Sequence, residues 1–164
     1  MKRISFKKCA IILASALLLC SCGKSTSVDT TTVQSQTKTI ADIYTEITNS
    51  VELISPYCWD DEFISNYYAI DPTILQEYVF SMSEEPISAE TIIIMKVADA
   101  SSVTAIRDCL QVVVDEKKNE MENYLPEEYE IVAKSSVQTK DTYVWLVISK
   151  QADCINKIIK DGIQ

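Results

Sequence analysis

Two short, unbroken apolar runs constrain the fold of this chain most: Ile92-Ile93-Ile94-Met95 and Tyr143-Val144-Trp145-Leu146-Val147-Ile148. A strand with one wetted face alternates apolar and polar residues. Apolar, β-branched residues on both faces instead mark a strand in the middle of a sheet. The pattern predicts buried strands over 91–98 and 142–149. Before the first run, Glu77 to Ser83 alternates, with Tyr78, Phe80 and Met82 on one face, and Glu84-Glu85-Pro86 supplies the turn. Before the second, Glu130 to Gln138 alternates weakly and reads as an exposed strand, with Lys140-Asp141 as its turn.

Helical spacing appears in four other places. Ile40, Ile43, Tyr44, Ile47 and Val51 form one apolar stripe, which Ser55-Pro56 ends. Asp60-Asp61-Glu62 places negative charge at the start of a second helix, Asp61 to about Ala69, with Phe63, Ile64, Tyr67 and Tyr68 as its buried stripe. Ser101 or Ser102 can cap a long helix carrying Val103, Ile106, Cys109, Leu110, Val113 and Val114 inward, which stops before Pro126. Ala152, Ile155, Ile158 and Ile159 close the chain. The order is strand, strand, helix, twice over, and Glu90–Met95 resembles Asp141–Leu146, which suggests an internal duplication. The expected fold class is α+β: a two-layer sandwich with a four-stranded, mostly antiparallel sheet (ββαββα), one face covered by helices, preceded by one or two N-terminal helices.

Residues 1–21 read as a lipoprotein signal peptide. Lys2, Arg3, Lys7 and Lys8 precede the apolar run Cys9 to Leu19, about half of the ~20 residues a membrane span requires. Small Ser21 before Cys22 fits lipoprotein cleavage, so Cys22 is the expected lipid acceptor rather than Cys20. Residues 22–39, nearly all Ser, Thr, Gln and charge, lack the apolar surface to offset ordering and are expected to be a disordered tether. Residues 40–164, about 125 in number, suffice for a single domain. Losing the four basic signal residues takes the formal net charge from −9 to −13. Such a chain is repelled by phosphate backbones, so no nucleic-acid partner is expected.

Absences carry the chemistry. With no histidine, Ser-His-Asp and Cys-His catalysis and His-based metal sites are excluded. The two glycines, Gly23 and Gly162, read as outside the folded core, so no Gly-rich phosphate cradle is expected. Cys58, Cys109 and Cys154 show no C-x-x-C spacing, and no metal or cofactor is expected. Cys109 sits at core spacing, while Cys58 is placed where it can pair with Cys154 or Cys109. Asp60-Asp61-Glu62 lacks the alternating ligands and glycine of a calcium loop and reads as a helix start. Glu84-Glu85 and Glu127-Glu128 lie beside prolines in expected turns and read as solvated. Tyr57, Trp59, Tyr67 and Tyr68 form an aromatic-rich stretch, a candidate binding surface for a sugar or a protein; packing of the helical layer is the alternative.

At Tyr67-Tyr68-Ala69-Ile70-Asp71, Glu77-Tyr78-Val79 and Ile92–Asp99, the chain resembles domain-of-unknown-function family 4358 of small Gram-positive lipoproteins. Tyr124-Leu125-Pro126 and Tyr143–Ser149 are similar too, so the resemblance covers about residues 40–160. The family usually has a glycine where this chain has Ala69. The resemblance implies a lipoprotein of unknown activity and carries over no catalytic residues.

The expected function is that of a non-catalytic, lipid-anchored binding domain on the extracytoplasmic face of the cell membrane. Its expected partners are the membrane, through Cys22, and an extracytoplasmic protein or cell-wall component. The alternative is a carboxylate-dependent cell-wall glycan hydrolase, which requires two carboxylates about 5–10 Å apart across a cleft.

Overall fold

A computed structural model describes residues 37–164, so the signal peptide, Cys22 and most of the expected tether lie outside the described residues. Five strands form one sheet: β1 (Pro56–Cys58), β2 (Leu75–Ser83), β3 (Thr91–Val97), β4 (Gln138–Lys140) and β5 (Tyr143–Ile148). Their spatial order is β1-β2-β3-β5-β4, and every neighbouring pair is antiparallel. The helices are α1 (Ile40–Ser50), α2 (Asp61–Tyr68), α3 (Val103–Met121), α4 (Pro126–Lys134) and α5 (Ala152–Gly162). The fold is α+β. The two apolar runs are β3 and β5, and they pair in the centre, Ile92 opposite Val147 and Ile94 opposite Trp145.

Helices cover both faces of the sheet, which corrects the expected two-layer packing. On one face Phe80, Ile93, Met95, Val144 and Leu146 pack against Ile64 of α2, Ile106, Leu110 and Val113 of α3, and Val132 of α4. On the other, Ile92, Ile94, Tyr143, Trp145 and Val147 pack against Ile40, Ile43 and Ile47 of α1 and Ile155 and Ile159 of α5. The physical reason lies in the runs themselves: a central strand that is apolar on both sides must bury both from water. The expected repeat is not carried through either, because α3 covers one face and α5 the other.

Three further expectations are corrected. The sheet has a fifth strand, β1, whose three exposed residues have no pattern of their own and are held by pairing to Ser81–Ser83. The expected exposed strand at 130–138 is largely α4; Pro126 opens it, Glu127 and Glu128 sit in its first turn and Lys134 in its last. The strand survives only as β4. Finally, neither Ser101 nor Ser102 caps α3 with its side chain. Asp99 instead accepts the Ser101 N–H at 2.8 Å and organises a 3-10 turn, Ala100–Ser102, that leads into the helix.

The fold begins before Ile40. Lys38 N–H donates to the Gly162 carbonyl at 2.9 Å, and Thr39 caps α1 by accepting the Asp42 N–H at 3.1 Å. Residues 37–39, read as the end of the tether, therefore belong to the domain. Gly162, read as lying outside the core, is buried where the end of α5 meets α1.

Candidate functional site

The aromatic stretch folds into a ledge at the β1 edge of the sheet. β1 presents Tyr57 opposite Met82, and the Trp59 N–H donates to the Phe80 carbonyl at 2.8 Å, extending the edge by one residue. Asp60 then turns the chain into α2 by accepting the Phe63 N–H at 3.0 Å, the helix-start role expected of this cluster. Because Phe63 and Tyr67 are four residues apart, they share one side of α2. Trp59 stacks on Phe63 with ring centroids 3.9 Å apart and planes at 19°. Tyr57 meets Trp59 edge-on at 4.7 Å, and Tyr67 tilts against Phe63 at 4.7 Å.

The ring series has an inner and an outer end. Inward, Phe63 meets Phe80 edge-on at 6.0 Å, and Tyr68 stacks on Phe80 at 5.3 Å. Tyr68 is thus half-buried at the inner end of the series, packed against the core and edge-on to Phe63 at 5.9 Å; burial and the nearby Glu116 carboxylate push its hydroxyl above the ordinary tyrosine range. Outward, Tyr57 is 45% exposed and Tyr67, expected in the buried stripe, is 71% exposed. An open groove of about 360 Å³ is lined by Tyr57, Trp59, Asp60, Glu62, Phe63 and Tyr67, together with Asn66. Of the four candidate residues, Tyr57, Trp59 and Tyr67 come together, and Phe63 joins them.

Asp61 leaves the groove by accepting the Tyr78 hydroxyl at 2.5 Å, and burial with this carboxylate pushes that hydroxyl up. Among the described residues no group of three or more Asp, Glu or Cys side chains is placed to hold a metal ion. The thiols of Cys58, Cys109 and Cys154 are free, and burial pushes that of Cys109 up.

A second concavity was not visible in the sequence. At the end of the sheet where β3 starts, a cleft of about 740 Å³ lies between Glu52–Ser55, the 85–88 turn, Glu128 and Lys150. A recess of about 80 Å³ adjoins it, lined in part by Glu90 and Glu128. Glu90 accepts the Ile54 N–H at 2.6 Å through Oε2 and the Ser149 hydroxyl at 2.7 Å through Oε1. Glu128 accepts the Ala89 N–H at 2.9 Å through Oε2, and its Oε1 stands 3.2 Å from Lys150 Nζ. Each carboxylate already has both oxygens engaged, so the pair fastens the segment between α1 and β1, the 84–90 turn, α4 and the β5–α5 junction together. Glu128, read as solvated, is largely buried. Its position three residues into a helix opened by proline is the sequence signal that could have revealed it.

Residues 49–149 match the family described as Domain of unknown function (DUF4358). The chain belongs to this family. The DUF4358 match contains the whole sheet, α2, α3, α4, the aromatic ledge and both Glu90 and Glu128, but it stops short of Lys150 and takes in only the end of α1 and none of α5. No curated protein and no solved structure matches the chain.

Proposed function

We propose that this DUF4358 protein is a lipid-anchored binding module of the extracytoplasmic membrane face, which holds a protein or cell-wall component on its aromatic ledge. The observation that carries the reading is the ring series itself. Phe80 and Tyr68 fix its inner end in the core, while Tyr57 and Tyr67 stand exposed at the other. Rigid aromatic side chains offer large contact area at low entropic cost, and rings left in water on a buried footing are the usual anchors of recognition surfaces. The anchor is Cys22, where a thiol-linked diacylglycerol supplies the two chains that stable attachment needs.

A carboxylate hydrolase has less support. General acid–base work needs a carboxyl group with a free oxygen facing substrate. In the recess both carboxylates are tied to backbone, hydroxyl or ammonium partners. Incubating the full chain with purified cell-wall glycan and peptide tests both readings. Stoichiometric binding without turnover, weakened by Tyr67→Ala, supports the module. Turnover abolished by Glu90→Gln or Glu128→Gln overturns it.

A further inference from the structure

The chemistry around the ledge says more about the ligand than the rings alone. The two ionisable groups lining the groove besides the tyrosines are Asp60 and Glu62, and no lysine or arginine lines it. Asp60 Oδ1 accepts the Phe63 N–H. Glu62 is exposed and has no ion-pair partner among the described residues. The whole chain is acidic, with a formal net charge of −9. A cation approaching this groove is attracted at long range, and an anion is repelled.

The ring geometry points the same way. A sugar ring is best received by a flat aromatic platform, but these rings do not make one. Tyr57 stands at 66° to Trp59, and Tyr67 is inclined by 32° to Phe63. The groove is instead a hollow lined by aromatic rings together with the carboxylates of Asp60 and Glu62. That arrangement favours an ammonium or guanidinium head with an apolar stem.

We propose that the groove takes the lysine or arginine side chains of a basic segment in a partner protein. The stem of each side chain would lie along Trp59 and Tyr67, with its charged head between the ring faces and Glu62. This assignment rests on the ledge being the binding surface, and the test separates the two claims.

The experiment titrates the full-length chain with three synthetic peptides of one length: lysine-rich, glutamine-substituted and glutamate-substituted. Binding is read by calorimetry and by the fluorescence of Trp59, since Trp145 is buried on the opposite face of the sheet. The lysine peptide is expected to bind about tenfold or more tighter than its glutamine counterpart. Its affinity should fall several-fold as salt rises from about 0.01 to 0.15 M, where the Debye length shortens from ~30 to ~8 Å. Tyr67→Ala keeps the net charge and should weaken binding at least about fivefold. Glu62→Gln should weaken it about two- to fivefold, the factor expected of one exposed cation contact, whereas Asp153→Asn on α5, removing the same charge from the opposite face, should not.

If the glutamine peptide binds as tightly and binding still depends on Tyr67, the ledge stands and its preference for a cation is overturned. Equal losses from Glu62→Gln and Asp153→Asn reduce the effect to overall charge, which also overturns the cationic assignment. If none of the peptides binds, or Tyr67→Ala changes nothing, both this assignment and the ledge as a peptide-binding surface are overturned.

Discussion

Gly162, near the end of α5, lies so close to Ile43 of α1 that a methyl group on its α-carbon would stand 2.6 Å from Ile43 Cγ1 and 2.8 Å from Cδ1. Ile43 is fully buried and has nowhere to swing. Gly162→Ala should therefore destabilise the domain by about 1–3 kcal/mol, the usual cost of overpacking, even though alanine is the better helix former. A lowered urea midpoint at unchanged slope would report it. Ile43→Val, which removes Cδ1, should cost less in the alanine background than in the parent. An unchanged midpoint for Gly162→Ala would mean that α5 slides aside freely.

Ala69 ends α2 in the left-handed region, at φ 53°, where the Ile70 N–H can reach back to the Ile64 carbonyl at 3.2 Å. This is the cap geometry that glycine serves best, and alanine holds it at about 1–2 kcal/mol of steric strain. Against that, glycine loses more freedom on folding, by roughly 0.5–1 kcal/mol. Ala69→Gly should thus raise stability by about 0.5–1 kcal/mol, measured as a rise in the urea midpoint. A loss would mean that the unfolded-chain entropy outweighs the relief of strain.

What the sequence made legible follows from where the information is local. The β3 and β5 runs, the stripes of α1, α3 and α5, and the Asp60 helix start are each written within a dozen residues, and each is found where its pattern puts it. β1 has no such pattern, because three exposed residues become a strand only when Ser81–Ser83 lie beside them. Weak alternation over 130–138 masks α4, although Pro126 followed by two glutamates marks a helix start. The recess draws on Glu52, Glu90, Glu128 and Ser149, whose proximity is a product of sheet order and of no local motif. Tyr67 and Tyr68 are adjacent, so helical geometry sends them to different sides, and composition alone could not say which stays wet.

Stability should fall in alkali, and Tyr44 should contribute to the fall. Its hydroxyl, 2.8 Å from Ser81 Oγ, is pushed by burial from 10.0 to about 12, with Cys58 and Glu90 acting in the same direction and Ser81 against them. Below pH 10 both folded and unfolded chains keep the proton. Between pH 10 and about 12 only the unfolded chain releases it, so the contribution of Tyr44 is lost across that window. Denaturation midpoints measured from pH 8 upward should decline beyond pH 10 and decline less steeply in Tyr44→Phe. Tyr68 and Tyr78, also raised, keep the residual slope from vanishing. A Tyr44→Phe profile parallel to the parent would place the titration elsewhere.

Cys22→Ser should release the protein from the membrane fraction. The signal reading places the lipid on this thiol, and the negative charge of the remaining chain gives it no attraction to anionic head groups. Mass spectrometry of the mature N-terminus should show the acyl group on Cys22 in the parent. Retention of the Cys22→Ser protein through acylated Cys20 would move the cleavage site two residues upstream.

Trimming the N-terminus should have little effect up to one boundary and then a clear cost. Thr37 Oγ1 donates to the Gln164 carbonyl at 2.9 Å, Lys38 N–H to that of Gly162 at 2.9 Å, and Thr39 caps α1. A chain beginning at Thr37 keeps all three and should match the parent within about 0.5 kcal/mol. One beginning at Ile40 loses all three: the cap, about 1 kcal/mol, the Lys38–Gly162 bond, about 0.5–1.5 kcal/mol, and the exposed Thr37–Gln164 bond, which adds little. These losses share one helix end and need not add fully, so a drop of about 1–2 kcal/mol in urea denaturation is expected. Equal stability of the two trimmed chains would show that α1 is held by its buried isoleucines alone.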